Sequence, residues 1–200
     1  MIRLILIRHG QTMANLQKHL QGQSDGALTS VGEEQAQRLA EHFQEIHIDH
    51  IISSNLQRAV HTAQAIANVR GLSVDIQPIV REWHCGLLDG LPAERLFETL
   101  AASNVSLPDF RPEGGETLRE VQQRAGKFLH QVEELYNGMH VAVCSHGDFL
   151  RMLMSHLKKI SIAQANQIHL QNASISTFDL IDGHWKTVAI NQTIEPAVNA

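Results

Sequence analysis

Leu-Ile-Leu-Ile at residues 4–7 gives four apolar positions in a row, with no alternation to mark a solvent face. Such a run reads as a strand buried on both sides, here over roughly residues 2–8. From Thr29 the period changes. Ala36, Leu39, Ala40 and Phe43 recur at three and four, the spacing of one buried helix face, with Thr29 as N-cap and residues 32–34 as first turn. Residues 49–53 predict a second strand, 55–71 a helix stopped by Gly71, and 73–80 a short extended segment halted at Pro78. Residues 83–115 have little periodicity, with Pro92, Pro108, Pro112 and the Gly114-Gly115 pair. They predict a loop with one short helix near 93–102. The clearest helix follows from Glu116 and ends at Gly138. Residues 140–145 then read as strand, 148–157 as helix, and 174–181 and 184–190 as two strands joined by a turn at 182–185. Alternating strands and helices predict an α/β fold with a mostly parallel sheet and a hairpin at its end. One domain over 1–200 is expected, with the last ten residues frayed.

The first strand does not fade into a turn. It runs into Arg8, His9 and Gly10, poor choices for a core, and the strand at 140–145 likewise runs into His146 and Gly147. Two strand ends, each presenting His-Gly, suggest a site at one edge of a sheet. In a parallel sheet, ligands bind beyond the carboxyl ends of the strands.

Composition narrows the partners. Hydrophobic content of 43% and charged content of 18% are those of a soluble globular chain. A net charge of −5 supplies no footprint for nucleic acid or an anionic membrane. No run of 18 apolar residues and no signal-like start is seen. Cys85 and Cys144 make no CxxC and no disulfide framework, so a cytoplasmic protein with reduced thiols is expected. Thirteen histidines are unusual. His42, His47 and His50 cluster without partners at a familiar ligand spacing, so no metal is expected there. His19, His130, His156, His169 and His184 read as scattered surface positions.

Arg8 adjoins His9, Arg58 opens the helix after the second strand, and Glu82 follows the third extended segment. Together with His146 they make an anion site with a nucleophile and an acid. An arginine fork matches phosphate with two parallel hydrogen bonds. Gly10 and Gly147 would let the backbone approach the anion and offer amide donors. Taken singly, a histidine after a strand is more often a structural hydrogen-bonder, an arginine at a helix start a solvated charge, and Glu82 a helix cap. Their order along the chain lifts the set above those readings.

That order resembles the histidine phosphatase superfamily, the phosphoglycerate mutase-like proteins. "RHGQTMAN" is similar to its RHG motif; Asp25 with "LTSVG" at 28–32, "SSNLQRAVHTA", "REWHCGLLDG", "PEGGET" and "CSHGD" resemble the motifs that follow, in the same order. The resemblance implies a three-layer sandwich and a phosphomonoesterase. His9 would be the nucleophile, Arg8, Arg58, Asn15 and a protonated His146 would hold the phosphoryl oxygens, and Glu82 would serve as acid and then base. No metal or other cofactor is implied, because the cationic side chains supply the charge. Gln21 to Ser24, Trp83, His84 and a short cap over about 91–112 would line the rest of the substrate site, near Gly22 and Gly147, with Arg95 and Arg111 able to reach inward.

Hydrolysis and mutase-type transfer both fit this chemistry. His84 is shared with mutases, but Ala14 stands where they carry Trp, and the cap is short. The expected partner is a small phosphorylated metabolite: a sugar phosphate, phosphoglycerate, phosphoserine or a cobalamin nucleotide-loop precursor. A homodimer is left open. A catalytically silent phospho-ligand or phosphoprotein binding module is the reading from another class, and the full catalytic set weighs against it.

Overall fold

A computed structural model describes residues 1–194. Its strands are β1 (Ile2–Arg8), β2 (His50–Ser53), β3 (Val74–Ile76), β4 (His140–Ser145), β5 (Ile175–Ile181) and β6 (His184–Gln192). The helices are α1 (Met13–Leu16), α2 (Ser30–His42), α3 (Gln57–Arg70), α4 (Glu94–Ser103), α5 (Leu118–Leu135), α6 (Gly147–Leu157) and α7 (Ile162–Asn166). The sheet order is β3-β2-β4-β1-β5-β6. β3, β2, β4 and β1 run parallel; β5 and β6 are antiparallel additions at one side.

The apolar run of β1 explains the layering. Ile2, Leu4 and Leu6 join one core with Phe128 and Val132 of α5 and Phe149 and Leu153 of α6. Ile5 and Ile7 point to the other face, against Leu39 of α2 and Ala63 and Ile66 of α3. All five are buried, each contributing about 1.5–3 kcal/mol, so both faces of the strand must be apolar. The result is a helix–sheet–helix sandwich.

Local signals account for most boundaries. Thr29 caps α2 by accepting from the Gly32 amide, and Gly71 closes α3 at φ +65°. Three differences have physical causes. α5 stops at Leu135, short of Gly138, because Tyr136 leaves the helical region at φ −116° and stacks on His50 at 5.0 Å. α1 and α7 were not anticipated, although Thr12 with Asn15 and Ser161 with Gln164 form capping boxes. Residues 191 and 192, expected to fray, belong to β6, and Gln192 pairs with Ile175. Ile194 also packs against the core, and the rest of that expectation, at 195–200, lies outside the described residues.

Two glycines weld the loop after β1 to α2. A side-chain carbon at Gly32 would lie 2.1 Å from the Gln11 carbonyl, and one at Gly10 would lie 2.5 Å from the Gly32 carbonyl. These are backbone atoms that cannot swing away. Ala ordinarily stabilises a helix over Gly by up to about 1 kcal/mol. Gly32→Ala is expected to do the opposite, costing about 1–3 kcal/mol through overpacking, and to lower activity by shifting the loop after His9. Urea unfolding checks this; unchanged stability would contradict the close approach.

Candidate active site

The parallel register of β1 and β4 sets Arg8 opposite Ser145, so the next residues, His9 and His146, emerge side by side. Their ring centroids are 5.1 Å apart. A cavity of about 130 Å³ opens over this edge. Arg8, His9, Asn15, Gln21, Gly22, Arg58, Glu82 and Gly147 all line it, as the sequence suggested.

Hydrogen bonds settle the state of each histidine. His9 Nδ1 lies 2.7 Å from the Gly10 carbonyl, which only accepts, so Nδ1 carries the proton. The lone pair is left on Nε2. Burial, then Arg58 and Arg8, hold the His9 pKa well below the ordinary histidine value, keeping the ring neutral. His146 differs from expectation. Arg58 Nε donates to its Nδ1 at 3.1 Å, which requires a lone pair there, so Nε2 donates to Ser54 Oγ at 2.6 Å. Burial, Arg58 and His9 likewise depress its pKa well below the usual value. His146 is therefore neutral, fully buried and absent from the cavity lining, and its link to the cavity is the bond it accepts from Arg58.

Arg58 spends its remaining local bonds on the carbonyls of Gly22 (2.7 Å) and Ser24 (2.8 Å), which anchors the 21–24 loop. Its burial lowers its pKa to about 10, still charged at neutral pH. Arg8 donates through Nη1 to the Leu170 carbonyl at 2.6 Å, while its buried Nε has no acceptor among the described residues. Asn15 Oδ1 accepts from the Thr12 amide (3.1 Å) and Asn172 Nδ2 (3.0 Å), so its own amino group is the donor it offers the cavity. An ideal side-chain carbon on Gly147 would sit 3.7 Å from Glu82 Oε2 and 3.8 Å from Arg8 Nε. Bare backbone keeps that approach open. Gly10 does not offer its amide as anticipated, since that donor is taken by Thr62 Oγ1 at 3.1 Å.

Glu82 is both a helix cap and a wall of the cavity. Its Oε1 caps α6, accepting from the amides of Asp148 (3.0 Å) and Phe149 (3.1 Å), and its carboxyl lines the cavity. Burial, reinforced by Asp148, raises its pKa above the ordinary carboxylate value despite those donors and Arg58. The loop carrying it is clamped by Arg124, which donates to the carbonyls of Ile79 (3.0 Å) and Glu82 (2.8 Å) and sits over the Phe149 ring.

Other expectations need correction. Trp83 is buried in the core, its Nε1 donating to the Glu116 carbonyl at 2.6 Å, and it does not line the cavity. Its indole instead joins the apolar cluster of Leu118, Val121 and Phe149. His84 does not line it either, and Arg95 and Arg111 pair with Glu98 and Glu120 on the exterior. His19 was read as surface but faces the cavity, and His156 is half-buried with Nε2 against the Gln122 carbonyl. Sequence reasoning missed Asp148 and Arg151, a pair at 2.9 Å that lines the cavity from the first turn of α6. Their i,i+3 spacing directly after His-Gly was the available signal. Among the described residues no group of His, Cys, Asp and Glu is placed to hold a metal, including His42, His47 and His50.

The whole arrangement can be compared with known proteins. The family model of the histidine phosphatase superfamily (branch 1) matches residues 4–193. The chain belongs to this superfamily. A Salmonella choleraesuis relative named as a probable phosphoglycerate mutase is 33% identical over 189 residues, covering 92% of this chain and 88% of that protein. A mycobacterial glucosyl-3-phosphoglycerate phosphatase superposes with a TM-score of 0.86 at 27% identity, over 96% of this chain and 99% of the other. Phosphoserine phosphatase from Entamoeba histolytica, solved with 3-phosphoglyceric acid, gives 0.86 at 28% identity over 96% and 98%. As a histidine phosphatase superfamily member the chain has relatives named for both hydrolysis and mutase transfer, on the expected mixed α/β fold.

Proposed function

We propose that this protein hydrolyses a small phosphomonoester through a phosphohistidine on His9. The observation that carries this is the fixed tautomer of His9: Nδ1 is tied to the Gly10 carbonyl, which directs the Nε2 lone pair into a cavity lined by Arg8, Arg58 and Asn15. Nε2 attacks phosphorus as the bond to the leaving oxygen breaks, and Glu82 hands that oxygen a proton. The arginines and the Asn15 amino group balance charge on the equatorial oxygens. Water then attacks the phosphohistidine, gives its proton to Glu82, and frees His9 and phosphate. No metal enters these steps.

Hydrolysis is favoured over transfer by the state of the cap. Residues 91–112 supply none of the cavity lining, and α4 leaves Phe97 exposed to solvent. The cap instead clips to the 18–20 segment, with the Ala93 amide on the Lys18 carbonyl and the Leu20 amide on Leu91. A mutase must keep water off its phosphohistidine while the intermediate reorients. The relative named as a mutase makes transfer the second reading.

The test follows phosphate and 2-phosphoglycerate together, from 3-phosphoglycerate with and without 2,3-bisphosphoglycerate and in excess EDTA. A panel of other phosphomonoesters is scored alongside. Phosphate release from the panel that survives EDTA, without faster formation of 2-phosphoglycerate, is expected. Rapid isomerisation would establish transfer, and loss of activity reversed by a divalent ion would mean the site had been misread.

A further inference from the structure

A second cavity, of about 440 Å³, lies behind the catalytic one, between α2 and the 169–173 loop. It is the larger of the two, and Arg8 lines both, so one guanidinium is their common wall. Arg38 of α2 lines the rear cavity together with Arg8. Among the described residues the buried Arg38 Nε has no acceptor, and the carboxylate paired with Arg38, Glu34, is 3.8 Å from Nη1, beyond hydrogen-bonding distance. A buried guanidinium N–H without a partner is costly, and such groups in a native structure call for an explanation.

The rest of the lining points the same way. Gln11, Gln35, Gln171 and His169 give the cavity hydrogen-bonding walls, and none of its described lining residues is Asp or Glu. Gln35 Oε1 already accepts from the Gln11 amide at 2.8 Å, which leaves its amino group as a donor. In a chain of net charge −5, two arginines and no carboxylate among the described lining residues make a local reversal of sign.

We infer that this rear cavity is a second binding site, for a small anionic metabolite bearing a phosphate or carboxylate, seated between Arg38 and Arg8. The volume lies in the range of small-molecule sites. Because Arg8 also lines the catalytic cavity, an anion held there draws on the same guanidinium that faces the phosphoryl group. Occupancy then changes turnover and does not simply compete with substrate.

Inorganic sulfate, added to the full chain at constant ionic strength, is a suitable probe. Calorimetric titration should find two sulfate sites in the native protein and one in Arg38→Gln, a readout that needs no turnover and stands even if the proposed hydrolysis fails. With p-nitrophenyl phosphate, sulfate should raise KM in both proteins but change kcat only in the native one. Arg38 touches no part of the catalytic cavity, so basal turnover of Arg38→Gln should be unchanged. A single, purely competitive sulfate site, or a second site that survives Arg38→Gln, would overturn the inference. So would a second site that appears only after truncation following Ile194, since the occupant would then be the chain's own acidic terminus.

Discussion

Replacing His9 by alanine is expected to remove turnover of p-nitrophenyl phosphate, by on the order of 10³-fold or more, since the covalent route has no substitute nucleophile. The neighbouring ring cannot take over. His146 Nδ1 is engaged by Arg58 Nε at 3.1 Å and Nε2 by Ser54 Oγ at 2.6 Å, and neither atom faces the cavity. Rapid quenching of the native protein during turnover should trap a phosphate that is labile to acid and stable to base, absent from His9→Ala. The fold should survive, because His9 donates only one side-chain bond, to the Gly10 carbonyl. Residual activity above a few per cent in a folded His9→Ala protein would end the phosphohistidine proposal.

The second large effect belongs to Glu82 and depends on the leaving group. Glu82→Gln should slow release of sugar-like alkoxides by about 10²- to 10⁴-fold, the usual value of general-acid help, and affect p-nitrophenolate far less. That leaving group departs without a proton. The pH dependence has a definite sign. Burial and Asp148 raise the Glu82 pKa, so its protonated, proton-donating form persists to higher pH than for an ordinary carboxyl. Alkyl phosphate turnover relative to nitrophenyl phosphate should therefore fall as pH rises through that raised pKa, and the fall should vanish in Glu82→Gln. His9 has the opposite shift, so its neutral nucleophilic form persists below the usual histidine pKa, and acidification through about 6.5 should not cost the nucleophile. Equal losses on both substrate classes, at every pH, would leave Glu82 only its bonds to the α6 amides.

Asp148 links these effects. Its amide donates to Glu82 while its carboxylate pairs with Arg151 at 2.9 Å, so the start of α6 sets both the position and the proton affinity of the candidate acid. Arg124, from α5, fixes the position of the same segment by gripping the carbonyls of Ile79 and Glu82. The bonds of the Asp148 amide and of Arg124 to the Glu82 segment are long-range, joining residues some forty to seventy positions apart, and no local pattern announces them.

What the sequence determined by itself was whatever depends on neighbours in the chain. The unbroken apolar run at 4–7, the three-and-four spacing of Ala36, Leu39, Ala40 and Phe43, and Gly71 at a helix end are set by backbone periodicity and by φ. They yielded the strands, the main helices and the mixed sheet. Arg8 with His9, and His146 with Gly147, were visible because polar residues directly after buried strands break the pattern. The tertiary structure alone decided the rest. It placed Trp83 in the core, turned His19 toward the cavity, made His146 the acceptor of Arg58 and left the cap away from the site. It also brought Arg38 and Arg8, thirty positions apart, to the wall of one cavity. Those outcomes depend on burial and on which donor meets which acceptor across the fold, and such pairings are fixed only when distant segments share the same space.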